Sequence, residues 1–390
     1  MDDSTAHIEG EIRPGSGQRV LLVGPTPPPA TGQSIAFRML LDGLRGRRTY
    51  EVVDIADRAG RRDAQFSARR AVLMLGSLGD LLGKLRKSDL VYLQIAQSRW
   101  GFLRDGIIIL LARLLGRRVV AHLHGGGYAD FYDTLPSPFR RLVRMALWKI
   151  DLVIILSEGL RSNFAFMGAR FAERLRIVAN ASAVPLGRRR GAPGDKVRLL
   201  YLSNLLVEKG YFDCIDALVH LQRMFPQRNF ELTLAGAFLL GADDYETPGD
   251  LRTETEKRIR YLGLGESVRI AGVVSGREKI DLLDSAHFLL LPTYYRNEGQ
   301  PISVIEGISR GAVGIVTDWR GTAEIFGDAA CGSVVNPMSP IEIAEAVGAI
   351  IADPEKYERY SRNAVDRAAQ FSVEAHINAI EKVMDEIGPR

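Results

Sequence analysis

The chain has 390 residues, of which 46% are hydrophobic and 25% charged, and its formal net charge is +4. That length exceeds one ordinary core and suits two domains of about 150–200 residues, while the composition is that of a folded globular protein rather than a disordered or fibrous one. The two cysteines, Cys214 and Cys331, are far apart and in no metal-ligand spacing, which excludes a disulfide framework and a cysteine-zinc site and predicts a reducing, cytoplasmic setting.

Residues 1–18 are polar with no apolar centre and read as a flexible tail, not a signal peptide. From Arg19 onward, short β-branched runs (19–24, 50–55, 89–94, 118–123 and 151–156) alternate with longer stretches of helical apolar spacing. This predicts a parallel sheet covered on both faces. The alternation breaks at 186–195 (LGRRRGAPGD) and restarts with strands at 198–203, 230–236, 268–272, 287–292 and 313–317. The expectation is therefore two doubly wound α/β domains, residues 19–190 and 191–371, followed by an amphipathic helix over about 372–388 that packs back onto the first. The longest wholly apolar run, Gly106 to Ala112, is broken by Arg113 and falls short of the roughly 20 residues a bilayer span needs.

Charge divides unevenly: residues 1–195 carry 30 Lys and Arg against 18 Asp and Glu, and the remainder 21 against 29. A basic first half predicts an anionic partner, or simply an arginine-rich solvated surface. Two basic-ended amphipathic stretches, 69–87 and 138–149, have the pattern of helices that lie on an anionic leaflet, with core-packing helices bearing exposed arginines as the other reading. Nucleic acid is disfavoured, because no recognised motif or interleaved aromatic platform accompanies the charge.

The richest segment for chemistry runs from Tyr294 to Glu306 (YYRNEGQPISVIE). A buried-type strand ends at Pro292, and a helix begins near Pro301, a residue pre-organised for the first helical position. Amides around Gly299–Ser303 can receive phosphate oxygens, and Glu298 and Glu306 can each grip vicinal hydroxyls; two surface carboxylates beside a capped helix is the competing reading. A second strand-to-helix junction, Leu202-Ser-Asn-Leu-Leu-Val-Glu-Lys209-Gly, puts a lysine at a helix mouth, where it can neutralise a leaving diphosphate. In the first half, the proline-rich loop from Gly24 to Ser34 occupies a phosphate-loop position without matching G-x-G-x-x-G or the P-loop. His124, ending a strand before three glycines, can hydrogen-bond a sugar hydroxyl.

Together these segments resemble glycosyltransferase family 4, the retaining GT-B enzymes, over nearly everything from Arg19 to Glu386. The most specific element is Glu298 and Glu306 within E-G-Q-P-I-S-V-I-E; supporting elements are Val207-Glu-Lys209-Gly, Leu123-His124-Gly, Leu234-Ala-Gly236, Gly272 and the Asn180 segment. The resemblance implies two Rossmann-like domains facing a central cleft, the first for the acceptor and the second for a nucleotide sugar. It implies that Glu306 holds the ribose and Glu298 the donor sugar, that Gly299, Gln300, Pro301, Ile302 and Gly236 line the donor pocket, and that Lys209 binds the diphosphate. It also places His124 near the sugar and Gly32 near the phosphate. Asn204 stands where the family usually has an arginine, so one diphosphate-neutralising charge is missing. No metal or other cofactor is expected, and Asp243-Asp244 reads as surface. The implied function is a hexosyltransferase acting on a saccharide or polyprenyl-linked acceptor in bacterial surface polysaccharide or glycolipid synthesis, peripheral to the inner membrane face. The alternatives are a sugar-nucleotide epimerase and a non-catalytic binding subunit.

Overall fold

The computed structural model describes residues 17–28, 31–56, 79–188, 190–241 and 247–388. The chain forms two compact units, residues 1–180 with 373–390, and residues 181–372.

In the first unit the strands are β1 (Val20–Gly24), β2 (Tyr50–Asp54), β3 (Leu90–Gln94), β4 (Arg118–His122), β5 (Leu152–Ile155) and β6 (Leu175–Ile177). They form one parallel sheet in the order β2-β1-β3-β4-β5-β6. β1, β3 and β5 are buried along their whole length, as expected where helices cover both faces. The helices are α1 (Gly32–Leu44), α2 (residues 79–87), α3 (Arg99–Leu114), α4 (Tyr128–Asp133), α5 (Ser137–Leu147) and α6 (Ala169–Ala172). The start of the basic stretch predicted over 69–87 lies outside the described residues. A thirteenth helix near the C-terminus, Val373–Ile387, also belongs to this unit. It buries Ile377, Ile380, Val383 and Met384 in one cluster with Val20, Leu22, Phe37 and Leu40. Buried Arg48 fastens it by donating to Glu381 at 3.1 Å and Asp385 at 2.6 Å.

The second unit repeats the plan with β7 (Lys196–Leu202), β8 (Asn229–Ala235), β9 (Val268–Gly272), β10 (Phe288–Leu291), β11 (Val313–Thr317) and β12 (Gly332–Val335). All pairs are parallel, in the order β12-β11-β10-β7-β8-β9. Its helices are α7 (Tyr211–Met224), α8 (Pro248–Tyr261), α9 (Gly276–Ser285), α10 (Ile302–Ser309), α11 (Pro340–Ile351) and α12 (Pro354–Ala368), so the C-terminal helix is α13. The units part at Asn180/Ala181, ahead of the Gly-, Pro- and Arg-rich stretch. That stretch is pinned within the second unit: Gly187 N donates to Ser309 O at 2.7 Å, and Arg190 donates to the carbonyls of Leu283, Ala286 and Arg310.

Strand order reverses between β7 and β10, because β8 and β9 extend one way while β10, β11 and β12 extend the other. At such a point the loops leaving two neighbouring strands run in opposite directions and open a crevice at the carboxyl edge. Gly210, at the mouth of α7, makes this junction tight. Its φ is +77°, and a Cβ there would lie 2.3 Å from the carbonyl oxygen of Pro292, the residue that follows β10. Gly210→Ala is expected to destabilise the protein by about 2 kcal/mol or more, from left-handed strain plus overpacking. A lowered urea midpoint would register it, and an unchanged midpoint would show that the two loops do not need this close approach.

Candidate functional site

The loops after β7 and β10 carry the predicted residues and join through one ion pair. Lys209 ends a single 3-10 turn, Val207–Lys209, that precedes α7. Its Nζ lies 3.2 Å from Glu298 Oε2 and donates to Ser203 Oγ at 3.1 Å. Glu298 is buried, and Thr293 Oγ1 donates to the same Oε2 at 3.1 Å. Thr293 is itself held by Thr317, whose hydroxyl donates to its carbonyl. The Lys209 ammonium stands 5.5 Å from the centre of the Tyr295 ring. Trp319 Nε1 donates to Tyr295 O at 2.8 Å and anchors that loop to the end of β11. Two of the three ammonium N–H groups are thus committed, which leaves one for a ligand oxygen.

Beside this pair, Gly299 and Gln300 are buried, and Pro301 serves as the N-cap of α10 without any side-chain cap. The first amides of α10, from Ile302 onward, therefore lack the side-chain acceptor that helix starts usually carry, and form an anion-receptive end. Glu306 sits on the second turn of α10 and is buried. Lys279, from α9, donates to Glu306 Oε1 at 2.6 Å. Sequence reasoning missed Lys279; the signal was chemical, since a buried carboxylate needs a counter-charge, but only the fold shows that α9 supplies it. The pair leaves Oε2 of Glu306 to accept from a ligand.

Asn204 is exposed and its backbone oxygen accepts from Tyr201. Gly236 lies against the same turn: a Cβ there would be 1.9 Å from the Ser203 oxygen and 3.1 Å from Asn204 Cα. Glycine at 236 thus lets the β8 loop close onto the β7 loop. Asp243 and Asp244 lie outside the described residues.

His124 and Gly32 belong to the first unit. Gly32 opens α1 behind a capping box, in which Thr31 Oγ1 accepts from Ser34 N at 3.2 Å and Ser34 Oγ accepts from Thr31 N at 2.8 Å. It is exposed, with open space around it. His124 sits on a buried histidine stack. Its ring lies 4.0 Å from that of His122, and its Nε2 receives Gln94 Nε2 at 2.9 Å, which places the proton on Nδ1. His122 Nδ1 meets the Tyr92 hydroxyl at 2.5 Å, and His376 of α13 donates from Nδ1 to Ala179 O at 2.6 Å. Burial, and then the neighbouring His376, hold His124 down to about 3. Burial likewise keeps His122 and His376 below the usual histidine value. His124 is a neutral hydrogen-bonding group at physiological pH. The glycine run after it has a local cause as well, because Gln97 fills the space of a Gly125 side chain and accepts from Gly127 N at 2.7 Å.

Residues 187–367 match the profile of the family described as Glycosyl transferases group 1. Among curated proteins, the chain is 26% identical over 298 residues to an alpha-D-kanosaminyltransferase of Streptomyces kanamyceticus, covering 72% of this chain and 73% of that protein. It is also 26% identical over 273 residues to a GDP-mannose:cellobiosyl-diphosphopolyprenol alpha-mannosyltransferase of Xanthomonas campestris, covering 69% of this chain and 66% of that one. Among solved structures it is similar to Anabaena Alr3699/HepE in complex with UDP and glucose, with a TM-score of 0.71 at 19% identity, covering 95% of this chain and all of that one. The last likeness is one of fold, and it fits two Rossmann-like units of GT-B type.

Lys209→Met would leave Glu298 buried without its cation, at an expected cost of about 3–5 kcal/mol, most of it recovered in Lys209→Met/Glu298→Gln. Chemical denaturation of the two variants checks this, and equal losses in both would show that the charge pairing is energetically idle. The histidine stack gives a second expectation. Below the usual value of 6.5 the unfolded chain takes up protons that the folded stack refuses, so stability is held above about pH 6.5 and declines as pH falls from there. Thermal midpoints across that range should show the decline, with a shallower slope in His376→Gln.

Proposed function

We propose that this chain, whose residues 187–367 form a glycosyl transferases group 1 domain, moves a hexose from a nucleoside-diphosphate sugar to a hydroxyl of a saccharide or lipid-linked acceptor, with retention at the anomeric carbon. The observation that carries the reading is the cluster at the strand-order reversal: Lys209 held by Glu298 beside an uncapped helix N-terminus, with Glu306 one helical turn further on. A nucleoside diphosphate offers what each part accepts, namely ribose hydroxyls for Glu306 Oε2 and phosphate oxygens for the amides of α10 and the remaining N–H of Lys209.

In the transfer, the bond between the anomeric carbon and the diphosphate oxygen breaks, and its electron pair leaves with the diphosphate. The acceptor oxygen bonds to that carbon on the same face, and its proton passes to the departing phosphate. Lys209 and the α10 dipole lie where that negative charge gathers and stabilise it more than they stabilise the bound donor. Glu298 has its Oε2 committed to Lys209 and Thr293, so it is assigned to orienting donor-sugar hydroxyls rather than to covalent attack. His124 enters as a neutral hydrogen-bonding group. The reading invokes no metal. A lipid-linked acceptor, and with it a role in surface polysaccharide or glycolipid synthesis, is supported by the relative whose name specifies a diphosphopolyprenol-linked acceptor.

A thermal-shift panel of UDP, GDP and ADP on the wild type, Glu306→Ala and Lys279→Met tests the proposal. One nucleotide is expected to raise the midpoint selectively, Glu306→Ala to abolish the shift, and Lys279→Met to weaken binding by about tenfold, as for one charge-assisted hydrogen bond. No shift with any nucleotide at millimolar concentration would favour the non-catalytic alternative. Turnover of the nucleotide sugar without acceptor would favour the epimerase.

A further inference from the structure

Helix α3 is apolar on both sides. One face buries Phe102, Ile108, Ile109 and Ala112 against the first sheet. The opposite face carries Trp100, Ile107, Leu110 and Leu114, which are 42%, 45%, 46% and 73% exposed. At 100° per residue these four fall within one narrow stripe, with half-buried Leu103 and Leu111 alongside them. A surface helix of a globular domain normally turns charge outward, so a contiguous outward apolar ridge marks an interaction surface. Helix α5 packs beside α3, with the Phe102 and Phe139 rings 5.7 Å apart edge to face. It adds exposed Leu142 and Met145, and an open groove of about 410 Å³ lined by Arg140, Arg141, Arg144, Met145 and Trp148.

We propose that the α3–α5 face of the first unit docks on an anionic lipid surface, with Ile107, Leu110 and Leu114 entering the headgroup–acyl boundary and Arg141 and Arg144 meeting lipid phosphates. Charge selects this occupant. The sole acidic residue on α3 is the buried Asp105, and α5 has none. The side chains of Arg141 and Arg144 make no hydrogen bond or ion pair among the described residues, and the unit as a whole carries 29 Lys and Arg against 21 Asp and Glu. A second copy meeting this face by two-fold symmetry would set these arginines against their own kind, whereas an anionic leaflet satisfies both the apolar ridge and its basic border. At 16 residues, α3 is shorter than the roughly 20 needed to span a bilayer, so it lies in the surface. The inference rests on the first unit alone and does not depend on the donor proposed for the second.

The test is flotation of the full chain with phosphatidylglycerol vesicles and with phosphatidylcholine vesicles, at low and high salt. Wild type is expected to float with the anionic vesicles. Leu110→Gln/Leu114→Gln should lower the partition coefficient by at least about tenfold at every salt concentration, since the loss is apolar. Arg141→Gln/Arg144→Gln should weaken binding mainly at low salt, where the electrostatic attraction is least screened. The altered side chains are exposed, so unchanged thermal midpoints would confirm that both variants are folded. Three results would overturn the proposal: wild type that stays down with anionic vesicles; vesicle binding that high salt abolishes and the leucine variant leaves unchanged; or a concentration-dependent dimer that the leucine variant dissociates.

Discussion

The reversal of strand order between β7 and β10 is the constraint on which the second unit's candidate site depends. Neighbouring parallel strands normally send their chains over the same face. Here β7 feeds α7 one way and β10 feeds α10 the other, so two strand ends meet with a crevice between them. Into it project a lysine and a glutamate that are 89 positions apart in the chain and 3.2 Å apart in space. Neither is stable there alone. A buried carboxylate requires a cation, and the lysine is held in one orientation by that carboxylate and by Ser203. The pair thus presents a fixed positive charge beside the helix start that also attracts phosphate. Gly210 and Gly236 are the steric condition for this, because any side chain at either would strike the backbone of the neighbouring loop.

The first unit solves a different problem. Its strand ends carry His122 and His124, stacked and desolvated, with His376 contributed by α13. Burial keeps the stack uncharged, so His124 offers hydrogen bonding without proton exchange near neutral pH. The C-terminal helix is thus more than a brace, because it completes the environment of a predicted site residue.

Arginine has two uses in this protein, and a charge count does not separate them. Arg113 and Arg118 share Asp151, Arg48 holds α13, and Arg174 donates to the carbonyls of Trp148 and Ile150. These side chains tie elements together and offer little to a partner. α13 also returns four acidic residues to the basic unit, so its excess of positive charge is smaller than the division of the sequence at residue 195 implies. Arg141 and Arg144 of α5, by contrast, are exposed and face outward next to the apolar ridge of α3.

Periodicity and motif spacing by themselves determined the two doubly wound units, the identity of ten of the twelve strands and the segments that carry the candidate site residues. Each of those is a local property: a run of β-branched residues, a proline at a helix start, two glutamates with seven residues between them. β6 and β12 carry no such signal, because they are short and, unlike the equally short but fully buried β5 and β10, half exposed at sheet edges. Tertiary structure alone decided which strands are neighbours, and therefore that Lys209 meets Glu298 and that Lys279 reaches Glu306. It likewise decided which side chains α13 sets against the first unit, and which side of α3 stays outside. An apolar face reads the same in sequence whether it is covered or left open, and a counter-charge can come from any element that packs nearby. The composition of a segment does not encode what will lie against it.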